Sequence, residues 1–158
     1  MSAPGRASGE LADPAAAMEH AKRVVARMLE LDAFSRWLGV EVAEISPTRV
    51  TCLMRVRADM LNGFGVCHGG ATFSLADSAL AFVSNTHGRV AMSIDNQISY
   101  PAPAREGDLL TAVAREDSQS GRLAFYRVEV RNQDGVLVAV FKGTVYKTKT
   151  EHFKAGEA

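Results

Sequence analysis

Cysteine is scarce in this chain: two residues, Cys52 and Cys67, in 158. They form no Cys-x-x-Cys pair and no bridge framework, so two reduced thiols and a cytoplasmic location are expected. Net charge is missing too. Lys plus Arg and Asp plus Glu number 18 each, for a formal charge of zero and a pI near 6.9. A nucleic-acid partner would need a basic stripe and a membrane surface a polybasic cluster, so neither partner is expected. No stretch approaches the roughly 20 apolar residues of a membrane span, and the first residues lack the apolar core of a signal peptide. The four histidines, His20, His68, His87 and His152, stand at no metal-ligand spacing, so no metal is expected. Ser74 and Ser78 lack a Gly-x-Ser-x-Gly elbow, which argues against a serine hydrolase.

What is present is an ordinary globular balance, 47% apolar and 23% charged, sized for one domain. Residues 1–12, rich in Ala, Gly, Ser and Pro, read as disordered. Asp13-Pro14 is an N-cap followed by proline in the first turn, opening a helix that should run to Leu31. A shorter helix, 33–38, stops at Gly39. Strands are expected over 40–45 and 49–57, the second with Val50, Cys52, Met54 and Val56 inward and its other face wet. A loop at 60–66 precedes a helix at 69–86. Four more strands are expected at 90–100, 109–117, 123–131 and 136–147, with a hairpin turn at Asn132-Gln133-Asp134-Gly135. The tail after Lys147 reads as polar and frayed. One long helix between runs of strands favours an antiparallel sheet and an α+β fold.

The helix at 69–86 reads GGATFSLADSALAFVSNT, and its one charge is Asp77. Apolar side chains surround most of its circumference, so it should be buried inside a curled sheet. The remaining arc holds Gly70, Ser74, Asp77, Ser78, Ala81 and Asn85. Aspartate is a poor helix-interior residue and is rarely buried without a partner. A neighbouring loop or an arginine could satisfy it structurally, and that bland role is the commoner one for a lone helical aspartate. The helix start, Cys67-His68-Gly69-Gly70, weighs the other way. First-turn amides have no intrahelical acceptor and attract developing negative charge, and two glycines leave them bare. The glycines could instead do no more than relieve crowding. Cys67 and His68 are adjacent in an extended segment, so their side chains point apart and make no nucleophilic dyad.

The run N-G-F-G-V-C-H-G-G-A-T-F-S-L-A-D-S-A-L-A-F, Asn62 to Phe82, resembles the signature of hotdog-fold acyl-CoA thioesterases of the phenylacetic acid degradation (PaaI) type. D-N-Q-I-S-Y-P-A-P-A-R-E-G-D, Asp95 to Asp108, is similar to the family's following strand and Gly-Asp turn, and Val138 to Tyr146 to its last strand. The likeness covers roughly Val40 to Lys147, giving a hotdog domain over 39–148, a helical segment over 13–38 and a tail over 149–158. It implies a sheet wrapped on a central helix, homodimers or dimers of dimers, and hydrolysis of acyl-CoA thioesters with no cofactor beyond the substrate's own coenzyme A. By the same resemblance Asp77 matches the catalytic carboxylate, Gly69 the amide that polarises the thioester carbonyl, and Asn62 an asparagine near the attacking water. His68 is read as orienting the glycine loop, with proton transfer as the alternative.

Gly70, Ser78, Phe64 and Tyr100 are expected to meet the acyl group or water, and Arg105 and Arg122 the phosphates of coenzyme A. The resemblance, together with the aromatic and small residues near the motif, implies phenylacetyl or hydroxylated phenylacetyl thioesters. The family's usual Arg-Pro is replaced here by Tyr100-Pro101-Ala102-Pro103-Ala104-Arg105, which alters the pocket wall. Phe34, Trp37 and the methionines read as core or pocket wall. Rival readings are a hydratase or dehydratase on the same fold, which would need a histidine beside the acid, and a non-catalytic acyl-CoA binder. Gly69 and Asp77 are eight residues apart, about 12 Å along one helix at 1.5 Å per residue. A reacting carbonyl must lie about 3 Å from both its donor and its attacker. A site shared between two antiparallel copies of the helix is therefore expected.

Overall fold

The computed structural model describes residues 13–153; the disorder expected for 1–12 lies outside them. Helix α1 spans Pro14–Leu31, opened by the Asp13 carboxylate accepting from Ala15 N–H at 3.0 Å. Asp32 then accepts from Ser35 N–H and caps α2, Ala33–Leu38, which ends at Gly39 in the left-handed region, φ 82°. The six strands are β1 Glu41–Ser46, β2 Arg49–Arg55, β3 Arg89–Ser99, β4 Leu109–Ser120, β5 Leu123–Arg131 and β6 Leu137–Glu151. Between β2 and β3 run a single 3-10 turn, Ala58–Met60, and the long helix α3, Gly69–Asn85.

All strand pairs are antiparallel, in the order β1-β2-β4-β5-β6-β3. The sheet curls over α3, which packs on β2, β3, β4, β5 and β6. Leu75, Leu80, Phe82 and Val83 of α3 meet Met54, Leu110, Val128 and Phe141 of the sheet, every one essentially inaccessible to water. Truncating a side chain such as Leu80 there costs about 2–5 kcal/mol, transfer and cavity terms together. α1 lies against β1 and α3, burying Ala21, Val24 and Val25. No helix among the described residues is long and apolar enough to cross a membrane.

Two expectations need correction. The outer face of β2 is wet at Arg49 and Arg55 but closed at Thr51, whose hydroxyl donates to Glu44 of β1. The segment after Lys147 is no frayed tail as far as it is described. β6 continues to Glu151, Arg89 pairs with Glu151 at 3.3 Å, and the His152 ring nitrogen lies 2.7 Å from Asn85 Oδ1. Phe153 sits beneath the guanidinium groups of Arg23 and Arg27 on α1. Long-range polar and cation–π contacts hold this stretch, and no apolar alternation announces them.

Candidate active site

The start of α3 is pinned from two sides: His68 N–H donates to Met60 C=O and Cys67 N–H to Ala104 C=O, both at 2.8 Å. His68 is the N-cap. Its Nδ1 accepts the Gly70 N–H at 2.9 Å, so the neutral ring carries its hydrogen on Nε2 and has no lone pair free for base chemistry while the cap stands. That accords with the orienting role and speaks against the base a hydratase would require. With Gly70 engaged, the Gly69 N–H is left without an acceptor among the described residues. The Tyr100 hydroxyl donates to Gly69 C=O at 2.8 Å, and its ring lies so close that a Cβ on Gly69 would sit 3.1 Å from Cζ. A side chain at 69 would therefore press on the Tyr100 ring, and the glycine leaves its own N–H bare. Cys67 is no nucleophile: burial pushes its thiol pKa up, and Sγ faces Thr72.

Asp77 sits two turns along α3, half-buried, facing β3. Its Oδ1 accepts from Asn96 Nδ2 at 2.9 Å and from Ser93 Oγ at 3.5 Å. Burial raises the carboxyl pKa, and the two donors pull it part of the way back down. Ser93 and Asn96 are partners that period-two reasoning misses, since positions three apart in a regular strand face opposite sides. A bulge brings them together. Ser93 pairs with Val145 and Asp95 with Thr144, so Ile94 is the extra residue and the alternation resets.

The polar arc of α3 divides in two. Gly70, Ser74, Asp77 and Ala81 stay at least partly accessible, but Ser78 and Asn85 are buried. Ser78 does not reach a substrate: its Oγ lies 2.8 Å from Ser35 Oγ, which donates to Asp32 Oδ2, so Ser78 supplies the proton of a link between α3 and α2. Asn62 shapes its loop, with Oδ1 accepting from Phe64 N–H at 2.9 Å and Val66 N–H at 3.4 Å; its amide NH2 is left for a ligand. Phe64, 92% exposed, tops that loop.

Two clefts flank residues 68–70. One, about 400 Å³, lies between Phe34, Trp37 and Leu38 of the α2 region and His68, Gly70 and Ser74. Trp37 and Phe34 are 65% and 53% exposed, so they are wall and not core, and Arg57 lies over the indole at 5.9 Å. The other, about 330 Å³, is bounded by Cys67, Gly69, Thr72, Tyr100 and Pro101 to Ala104. A further hollow, about 540 Å³, is on the outer face of β4 and β5; ion pairs such as Arg127–Asp117 and Arg131–Glu129 line it, and it is remote from α3. Arg105 and Arg122 are not brought together. Arg105 precedes β4 beside the start of α3, and Arg122 follows the far end of that 12-residue strand, with its guanidinium on the Tyr146 hydroxyl.

A sheet curled around a buried helix that begins on a bare amide and carries a carboxylate two turns on matches what the resemblance to hotdog thioesterases implies, and comparison with known proteins places the chain in that class. The sequence profile described as Thioesterase superfamily matches residues 64–139. The acyl-coenzyme A thioesterase PaaI of Escherichia coli K12 is 37% identical over 120 residues, covering 76% of this chain and 86% of the relative. Acyl-coenzyme A thioesterase 13 of Homo sapiens is 32% identical over 122 residues, 75% of this chain and 87% of that one. The solved E. coli PaaI structure superposes with a TM-score of 0.83 at 34% identity, covering 85% of this chain and 97% of that one. The chain belongs to the PaaI family of hotdog-fold acyl-CoA thioesterases.

Proposed function

We propose that the enzyme hydrolyses small aryl-acyl thioesters of coenzyme A, phenylacetyl-CoA or its hydroxylated forms foremost, at sites shared between two protomers. The observation that carries this reading is the free Gly69 N–H about 12 Å along the helix from Asp77. The Gly69 amide of one protomer would receive the carbonyl oxygen, and Asp77 of the partner subunit would either attack the carbonyl carbon, giving an anhydride that water then hydrolyses, or take a proton from a water that itself attacks the carbon. On either route coenzyme A leaves as a thiolate, which needs no general acid near neutral pH. The reading asks for no metal or redox cofactor. The accessible stripe of Gly70, Ser74 and Ala81 and the neighbouring edge strand β3, exposing Met92 and Ile94, support a two-fold pairing of this face, with dimers of dimers as the fuller assembly. Two clefts beside the glycines suit the two substituents of a thioester, and the Phe34–Trp37 wall supports an aromatic acyl group in the first. Two free thiols, Cys52 with its pKa pushed up to about 12 by burial, accord with a cytoplasmic setting.

Asp77→Asn is expected to abolish thiol release while the fold stands. The Asn96 donor keeps an acceptor there, and relief of a carboxylate whose pKa burial raises should leave stability equal or higher. Asp77→Ala and Gly69→Ala, each inactive alone, should recover partial activity when co-expressed as heterodimers. Isolated heterodimers without recovery, or a monomer with full activity, would sink the shared site. A clear kcat/KM preference for palmitoyl over phenylacetyl thioester would sink the aryl assignment.

A further inference from the structure

We propose that Asn96 is a positioning residue for the reaction: its side-chain amide clamps Asp77 Oδ1 and presents Oδ2, ionised, to the substrate. The inference rests on the reading of Asp77 as the reacting carboxylate. Three observations converge on it. Asn96 Nδ2 donates to Oδ1 at 2.9 Å, and Oδ2 has no donor among the described residues. The other end of the same amide is orphaned, since Asn96 Oδ1 is buried with no hydrogen-bond partner. A buried acceptor left unpaired is costly and rare, and an apolar side chain in this place would avoid it. The opposite strand also makes room. Asn96 pairs with Gly143, where an added Cβ would fall 2.9 Å from Asn96 Oδ1 and 2.5 Å from Leu80 Cδ2.

Packing accounts for the glycine, whose added Cβ would meet Leu80 as well as Asn96, but not for the orphan; a carboxylate that must be held does. Turning the amide over would satisfy nothing, because its oxygen would then face the Asp77 charge. Such a local breach of the rules is what functional sites carry. The groups that face Asp77 from β3 are Ser93 and Asn96. α3 supplies no other charge, and no charged side chain from the remaining elements contributes to Asp77's titration.

The sign of the effect follows. A donor to the carboxylate favours its ionised form, so removing the donor makes Asp77 harder to ionise and moves the acid limb of activity to higher pH. The test is Asn96→Leu and Asn96→Asp in the full chain, each followed by the pH profile of kcat/KM on phenylacetyl-CoA and by the Asp77 carboxyl titration in carbon-detected NMR. The leucine variant should move both the limb and the titration up by about one pH unit with KM little changed. The aspartate variant sets a second carboxylate at hydrogen-bond distance, so the pair should titrate in two steps with the upper one moved further up. Should the leucine variant fail to fold, Asn96→Asp carries the same test. Folded variants with limb and titration both unmoved overturn the inference, even if kcat drops, and leave the role of Asp77 standing whenever Asp77→Asn is inactive. A titration that moves while the limb does not, or an active Asp77→Asn, overturns it through the reading on which it rests.

Discussion

The loop at 62–66 and the hairpin turn at 132–136 are the same piece of backbone used twice. The first reads Asn62-Gly63-Phe64-Gly65-Val66, the second Asn132-Gln133-Asp134-Gly135-Val136. In each, the asparagine N–H donates to the valine C=O, at 2.8 and 3.1 Å, and the glycine N–H returns to the asparagine C=O at 3.0 Å. In each, the asparagine Oδ1 gathers the amides two and four residues on. Both glycines adopt positive φ, 72° and 78°, which a residue with a Cβ rarely tolerates. The first loop even closes on a bridge between Leu61 and Cys67, a hairpin in miniature. What differs is the tip: Gln133-Asp134 is polar, whereas Gly63-Phe64 raises a bare aromatic ring beside the α3 start. An asparagine in this motif is thus fully explained as a turn residue. Any catalytic share of Asn62 must come from its NH2 group, the one part of its side chain that the turn leaves unused.

That comparison can be broken or sharpened by three pairs of variants. Aspartate keeps the accepting oxygens of the turn and removes the NH2. Asn62→Asp should lower kcat/KM by about 100-fold, the scale of losing one donor at a reacting centre, while Asn132→Asp stays within about twofold of wild type. Equal activity in the two would return Asn62 to a purely structural role. Alanine removes the turn bonds themselves, so Asn62→Ala and Asn132→Ala should each lower stability by about 1–2 kcal/mol in urea titrations. A gap between them larger than that range would mean the two loops are not energetic equivalents. The smallest effect belongs to the tip. Phe64→Ala should raise KM for an aryl thioester by about fivefold and leave Tm unchanged, because the ring buries almost nothing within its own protomer. Asp134→Ala should change neither, and an unmoved KM in Phe64→Ala would remove that ring from the substrate's path.

Local chemistry was legible wherever one residue's preference settles the backbone. Asp13-Pro14 opens α1, Gly39 closes α2, and the Asn-x-x-Gly hairpin sits where it was expected. The burial of α3 follows from apolar side chains nearly all round it. The glycine pair and Asp77 could be picked out because bare amides and an isolated charge are conspicuous on such a helix. The partners of Asp77 could not: the bulge at Ile94 depends on how β3 registers with β6, a contact across some 50 residues that no window of β3 contains. Ser78 misled for a related reason. A helical wheel shows that it lies near Asp77 but not that Ser35, from a helix 43 residues earlier in the chain, is waiting for its hydroxyl. The strand beyond Lys147 is likewise held by α1 and the turn at Gly88.

The sheet has two unpaired margins, and they are unlike. β1 presents Glu41 and Glu44, charges that discourage another strand from docking, while β3 offers Met92 and Ile94, 56% and 59% exposed. A molecule with two adhesive margins would add neighbours without limit and grow into a fibre. One with a single adhesive margin runs out of valence once that margin meets its own copy. Under the proposed pairing through β3, the acidic residues of β1 keep the opposite margin from adding neighbours: neutralising both, as in Glu41→Val with Glu44→Val, is expected to make that margin adhesive too, seen as turbidity that rises with protein concentration.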